Sequence, residues 1–382
     1  MKKSILITGG AGFIGSRLAV KLLDAGHRVR VLDSLISQIH GANPERSPLY
    51  RTIAGKVEFV RACVTDQAAM RQALEGVDTV VHLAAETGTG QSMYAIKHYV
   101  DVNVGGTAVL LDLIANEQPG VRKIVVASSR AVYGEGKYRC GEHGAVYPDA
   151  RSAGDMQRGD FSPHCPQCGE PVEPVATDES TPVRPASIYG ITKLNQEQMV
   201  LTVAKALGIS AAAFRYQNVY GPGQSLSNPY TGILSIFSTR IRNGSGINVF
   251  EDGKETRDFV FIDDVVAATE RSIEYDLPLN DVFNVGSGEA TDVMTIVRLL
   301  QQLFGRQVEV RVSGQFRAGD IRHNFADLRK VGSVLGFAPQ VTIEDGLRRF
   351  VDWVKQQDAG EDRYEESLKE LTAKGLFKGG AA

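Results

Sequence analysis

Glycines at positions 9, 12 and 15 separate the apolar run at residues 5–7 from a stretch with helical spacing at 13–23. A chain that passes from buried strand to helix across side-chain-free residues is committed to a strand-loop-helix unit, the opening of a parallel α/β sheet. Backbone amides at that helix start then face outward with no Cβ in the way, a seat for a pyrophosphate. Asp33 closes the next strand-like run, placed to accept from both ribose hydroxyls of a dinucleotide and to repel a 2′-phosphate. The loop therefore reads as an NAD site rather than an NADP site.

The rhythm continues. Apolar runs at 29–32, 57–60, 79–83 and 123–128 alternate with helical spacing at 67–74 and 103–116. This predicts an α/β fold, a doubly wound parallel sheet with its ligand crevice at the carboxyl ends of the strands. Residues 135–185 break the pattern, being rich in Gly, Pro, Arg and Asp, so something other than an apolar core must hold them. Helix resumes at 189–207 and strand at 210–215. Beyond Asn218, segments 228–250 and 307–318 read as a smaller lobe, while 259–262 and 282–285 return to the main sheet. The expected division is a dinucleotide-binding domain over 1–217, carrying the 135–185 insert, and a substrate lobe over 218–382. Segments near 259–270 and 282–286 are expected to return to the first domain. The tail after Asp358 is charged, then Gly/Ala-rich, and is expected to fray at its end.

Tyr189 and Lys193 stand one helical turn apart, on one face. A lysine about 4 Å away at an effective dielectric of about 20 contributes roughly 4 kcal/mol. That suffices to bring a phenol down from its ordinary pKa near 10 toward neutrality, where a base for a sugar hydroxyl belongs. Ser129 ends the strand at 123–128 and is placed to hold the same substrate oxygen.

A formal net charge of -3 with scattered basic residues gives no footprint for nucleic acid, and no apolar run is long enough to cross a bilayer. No secretory pattern precedes the first strand, so a cytoplasmic protein is expected. Three of the four cysteines, Cys140, Cys165 and Cys168, lie in the insert. In a reducing compartment such clustering points to metal rather than disulfides. Cys140-Gly141-Glu142-His143 and Cys165-Pro166-Gln167-Cys168 form two short knuckles suited to four tetrahedral zinc ligands, with no open place for water. His164 is a rival ligand, but it would crowd Cys165, so His143 is preferred and the zinc is expected to be structural.

The glycine loop, His82-Leu83-Ala84-Ala85, Asn103-Val104-Gly105-Gly106-Thr107, Ser128-Ser129-Arg130-Ala131-Val132-Tyr133-Gly134, Tyr189-Gly190-Ile191-Thr192-Lys193, the run from Arg215 to Gly223, Arg257-Asp258-Phe259-Val260 and Arg317-Ala318-Gly319-Asp320 together span nearly the whole chain. On these stretches the chain resembles the extended short-chain dehydrogenase/reductases, in their nucleotide-sugar epimerase and dehydratase group. The resemblance implies a Rossmann-like fold and an NAD held by Gly9, Gly12, Phe13, Ile14, Gly15, Asp33, Val64, Leu83, Ala84, Ala85, Asn103, Tyr189 and Lys193. It implies catalysis by Ser129, Tyr189 and Lys193. A nucleoside-diphosphate sugar would be met by Thr87, Ser129, Arg130, Asn218, Arg257, Arg317 and Asp320. Cys63 stands where the family usually has an aspartate at the adenine.

Family dehydratases and decarboxylases carry an acid just after the catalytic Ser/Thr, whereas this chain has Arg130 and Ala131. The implied reaction is then inversion at C4 through a 4-keto sugar, with zero net redox. The knuckles and the loop at 86–94, with Thr87, Thr89 and Ser92 facing the sugar, resemble the branch acting on dTDP-L-rhamnose. Asn324, where galactose-type epimerases have a tyrosine, admits a different sugar ring. A UDP-glucose/UDP-galactose-type epimerase and a net NAD-dependent nucleotide-sugar oxidoreductase are the alternatives. A dinucleotide-sensing binding protein is the reading outside enzymes, and the intact Ser129, Tyr189 and Lys193 speak against it. The family's usual homodimer would pair helices 103–116 and 189–207.

Overall fold

The computed structural model describes residues 2–117, 120–226, 228, 230, 232–317, 319–357 and 364–379. Seven strands form its main sheet: β1 (Ser4–Thr8), β2 (Arg28–Asp33), β3 (Glu58–Arg61), β4 (Thr79–His82), β5 (Lys123–Ser129), β6 (Ser210–Tyr216) and β7 (Asn280–Val285). Their order is β7-β6-β5-β4-β1-β2-β3 and every pairing is parallel. The order reverses between β1 and β4, which opens a crevice at their carboxyl ends.

Strand periodicity decides what covers each face. Ile5, Ile7, Val29, Val31, Val81 and Val125 pack toward Leu18 and Leu22 of α1 (Phe13–Asp24). Leu6, Leu32, Val80, Ile124 and Val126 point the other way. They meet Met70 of α2 (Gln67–Leu74), Leu110 and Ile114 of α3 (Gly106–Glu117) and Val200 of α4 (Ile188–Leu207). The expected helix at 103–116 is replaced up to Gly105 by a π-helical turn, Val100–Gly105. Asn103 sits in that turn, fully buried. Such turns insert a residue into the helical ladder to re-aim a side chain.

Under the end of β5 lies a buried ion pair. Arg215 donates to Glu197 from Nη2 (2.6 Å) and Nε (3.0 Å), and Ser128 Oγ donates to Glu197 at 2.6 Å. Glu197→Ala leaves Arg215 buried without its counter-charge. It is expected to cost about 3–5 kcal/mol, read as a lower midpoint in urea at unchanged slope.

Beyond β6 one expectation is corrected. Residues 259–262 do not join the main sheet. Phe259–Phe261 pairs in parallel with Asn218–Tyr220 instead, because β6 already has β5 on one side and β7 on the other. The helix that follows, α5 (Ile262–Glu274), does return, packing against α1 in the same core. Residues 280–285 join the main sheet as expected. The lobe is completed by Ile247–Val249 against Val310–Val312, and by Thr256–Arg257 between Thr291–Asp292 and His323–Asn324. In the tail, Tyr364–Ala373 is helical and Phe377–Lys378 pairs with Phe316–Arg317. Ala318 and the end of the tail, 380–382, lie outside the described residues.

The insert holds three short strands, Tyr138–Cys140 between Gly144–Val146 and Glu173–Pro174. Its own core is Tyr138, Cys140, Val146 and Cys165. Among the described residues no helix is long and apolar enough to cross a membrane.

Candidate active site and a cysteine-histidine cluster

A cavity of about 570 Å³ runs from the glycine loop across the crevice to the smaller lobe. The glycines permit it at specific atoms. A Cβ on Gly9, whose φ is +69°, would lie 2.8 Å from the Ala84 backbone, and one on Gly15 would lie 2.5 Å from the Gly9 carbonyl oxygen. α1 begins at this loop with no side chain capping its amides, so they remain for an anion. Asp33 accepts from Ala11 N at 3.0 Å and Leu35 N at 2.8 Å. Each carboxylate oxygen keeps a lone pair for a ribose hydroxyl. These features fit a dinucleotide.

The residues expected at the cofactor line this cavity, with one exception. Asn103 accepts from Glu86 N at 2.7 Å and donates to Glu86 O at 3.1 Å and Thr192 Oγ1 at 2.9 Å. Its amide is spent tying the loop after β4 to α4, so it positions the site from behind. Ser92 is likewise withdrawn from the sugar pocket. It is fully buried, donates to Thr89 O at 2.7 Å and accepts from Tyr189 N at 3.0 Å.

Ser187 caps α4 by accepting from Gly190 N at 3.1 Å, which fixes the turn bearing Tyr189. The Tyr189 phenol lines the same cavity as Ser129. Its pKa departs from the expectation. Burial pushes it up, and the opposing effects are the nearby Ser129 hydroxyl and the Arg130 charge rather than Lys193. Lys193 Nζ donates to Ala127 O at 2.9 Å, and burial lowers its pKa to about 7, which weakens it as a source of fixed charge. Arg130 stands closer to the phenol's electrostatics than the helix spacing suggested.

On the lobe side the cavity gathers Arg130, Arg257 and Arg317 around Asp320. Although burial opposes it, Arg257, Arg317 and Arg130 hold Asp320 down to about 2. Arg130 donates to Asn218 Oδ1 at 2.8 Å, and Arg257 to Asp320 Oδ1 at 3.1 Å. Burial and Arg257 lower Arg130 to about 10, as expected for a cation crowded among cations. The cluster has surplus positive charge for an anionic ligand. Thr87 also lines the cavity.

Several lining residues escaped the sequence reading. Gln217, Gln224, Asn248 and Glu255 each keep a buried polar atom without a partner among the described residues, as does Arg317 at Nε. Burial and the neighbouring Glu251 push Glu255 up to about 7. Nothing in the local pattern marks them, because an unpaired atom exists only once the lobe has folded. The tail was also missed. Leu368, Leu371 and Leu376 wall the cavity, and Tyr230 OH latches the helix by donating to Glu370 at 2.6 Å.

In the insert, Cys140, His143, Cys165 and Cys168 place their ligand atoms within 4.8 Å of one another. Cys140 Sγ lies 3.7 Å from Cys168 Sγ and 3.6 Å from His143 Nδ1, and Cys165 Sγ is 3.7 Å from that nitrogen. A tetrahedron with metal-sulfur bonds of about 2.3 Å has edges of roughly 3.8 Å between sulfurs and roughly 3.5 Å between sulfur and nitrogen. His164 is occupied elsewhere, with Gly169 O and Asp160 Oδ2 each at 2.9 Å.

The sequence profile of the NAD dependent epimerase/dehydratase family matches residues 5–151 and 165–286. The chain is 40% identical to a dTDP-L-rhamnose 4-epimerase of Burkholderia thailandensis, over 93% of this chain and 96% of that one. Among solved structures it resembles a UDP-glucose 4-epimerase with UDP-glucose from Thermotoga maritima, with TM-score 0.74 and 28% identity, covering 92% of this chain and 99% of that one. It also resembles MoeE5 in complex with UDP-glucuronic acid and NAD, with TM-score 0.73, 29% identity and the same coverage.

Proposed function

The chain belongs to the NAD dependent epimerase/dehydratase family, and from that premise we propose that it inverts C4 of dTDP-L-rhamnose, giving dTDP-6-deoxy-L-talose through a 4-keto sugar. The observation that carries this is that Ser129, Tyr189 and Lys193 line one cavity with the glycine cradle and the arginine cluster. The Burkholderia thailandensis relative supports the sugar.

NAD, when bound, supplies hydride acceptance and return at C4. Gly9, Gly12, Gly15 and Asp33 would hold it, the uncapped α1 amides being suited to its pyrophosphate. Arg130, Arg257 and Arg317 take the diphosphate side of the sugar nucleotide and fix its distance from the phenol. Ser129 holds the C4 oxygen, and Tyr189 removes its proton. The sugar ring then turns within the cavity, and Tyr189 returns the proton to the oxygen once the other face is presented. No residue beside Ser129 supplies the further acid that loss of water or carbon dioxide requires, since Arg130 and Ala131 follow it.

Incubation with dTDP-L-rhamnose, UDP-glucose and UDP-galactose separately, with no cofactor added, tests the reading by proton NMR. A C4 epimer is expected from dTDP-L-rhamnose. Conversion only on adding NAD, with stoichiometric oxidation of the sugar, would assign a net dehydrogenase instead. Gly15→Val places carbon where the Gly9 carbonyl already sits at 2.5 Å from a Cβ. It is expected to abolish dinucleotide retention through purification, read by chromatography of the heat-released nucleotide.

The cysteine-histidine cluster holds a structural zinc, supported by edge lengths that match tetrahedral coordination. A homodimer through α3 and α4 is supported by exposed apolar Ile191 on α4 and Val100 in the turn that leads into α3. Free cysteines suit a cytoplasmic enzyme.

A further inference from the structure

We propose that the zinc-bearing insert sets the shape of the nucleotide-sugar pocket, acting through Arg151 as a positioning residue, and is more than a stabilising staple. The proposal rests on the nucleotide-sugar reading above.

Arg151 lies in the insert with its side chain 3% exposed. Nε donates to Glu135 Oε1 at 3.0 Å. Nη1 donates to Glu251 Oε2 at 2.7 Å and Phe161 O at 3.1 Å, and Nη2 to Glu251 Oε1 at 2.9 Å and Asp320 O at 3.0 Å. The guanidinium's rigid fork is thus shared between the insert and two points of the smaller lobe. Both points adjoin the cavity. Asp320 lines it directly. Glu251 follows Phe250, which also lines it and lies under Arg317, with the guanidinium carbon 4.9 Å from the ring centroid.

Glu251 itself has a φ of +49°, a left-handed conformation that a side-chain-bearing residue adopts only when its surroundings hold it there. Arg151 and Arg322 hold it, the latter at 2.9 Å. A second line of contact is apolar. Met156 and Phe161 of the insert pack on Phe316, the residue before Arg317. The insert therefore grips the chain on both sides of Arg317.

The link to the metal is short. Tyr138, two residues before Cys140 on the same strand, donates to Glu135 Oε2 at 3.3 Å, and that oxygen also accepts from Arg322 N at 2.8 Å. Order at the cluster reaches Arg151 through one strand and one carboxylate.

Arg151→Lys keeps the charge and loses the fork, and Phe161→Ala removes the apolar grip without touching the ion network. Each variant is examined folded, well below its melting temperature, by calorimetric titration with dTDP and by steady-state kinetics. Both are expected to raise the dTDP Kd and the KM for the sugar nucleotide at least tenfold, with kcat within twofold and dinucleotide content unchanged. Chelator-treated enzyme is expected to move Kd in the same direction. Lower melting temperatures with Kd and KM unchanged in both variants would overturn the proposal and leave a staple. Wild-type protein that binds neither dTDP nor UDP would instead refute the nucleotide-sugar reading. If Arg151→Lys does not fold, Phe161→Ala alone decides.

Discussion

Tyr189→Phe is expected to lower kcat by about 10²- to 10⁴-fold, or roughly 3–5 kcal/mol of barrier, while the protein keeps its dinucleotide and its melting temperature. The asymmetry follows from where the hydroxyl sits. Tyr189 lines the cavity together with Ser129, and the ring is held by α4, which starts from Ser187 and carries Tyr189 N on Ser92. Phenylalanine fills the same volume and gives up only the proton acceptor. Burial holds the free phenol above its ordinary value, so the proton acceptor must be tuned by what binds beside it as well as by Arg130. Arg130→Met, which removes that nearby charge, is then expected to shift the alkaline-rising limb of the kcat profile to higher pH. A variant Tyr189→Phe with near wild-type turnover would remove Tyr189 from the chemistry.

Cys165→Ser is expected to abolish stoichiometric zinc and to melt the insert. Isolated zinc-finger peptides gain about 10–16 kcal/mol from the metal. Here the loss is bounded below that, because the insert is also gripped by Arg151 with Glu135 and Glu251. Elemental analysis and calorimetry check it together, with a lower first melting transition and protease cutting within 141–172. Cys63→Ser is the control, since Cys63 lies at the cofactor cavity and away from the cluster. Wild-type protein prepared without chelators that carries no stoichiometric metal would contradict the zinc assignment.

The parallel sheet was legible because its strands are short apolar runs punctuated by a glycine loop and helical spacing, a pattern with few competing folds. The lobe was less so. Residues 259–261 are as apolar as a sheet strand, yet their partner is 218–220, and pairing between distant segments leaves no local signature. The residues proposed for catalysis stand out in the sequence by type and spacing, but their electrostatics do not. One helical turn between Tyr189 and Lys193 says nothing of Ala127 O, which takes the lysine. Asn103 shows the same limit, since the sequence places it near the crevice and only its three hydrogen bonds reveal that it faces away.

The account turns on a sugar that is oxidised and reduced at one carbon without leaving the cavity. The most direct measurement uses dTDP-L-rhamnose deuterated at C4, incubated with the as-purified protein in ordinary water and followed by NMR and mass spectrometry. The account predicts a C4-epimeric product that keeps its deuterium at C4. Washout of the label into solvent, or an accumulating 4-keto sugar with no epimer, would contradict it.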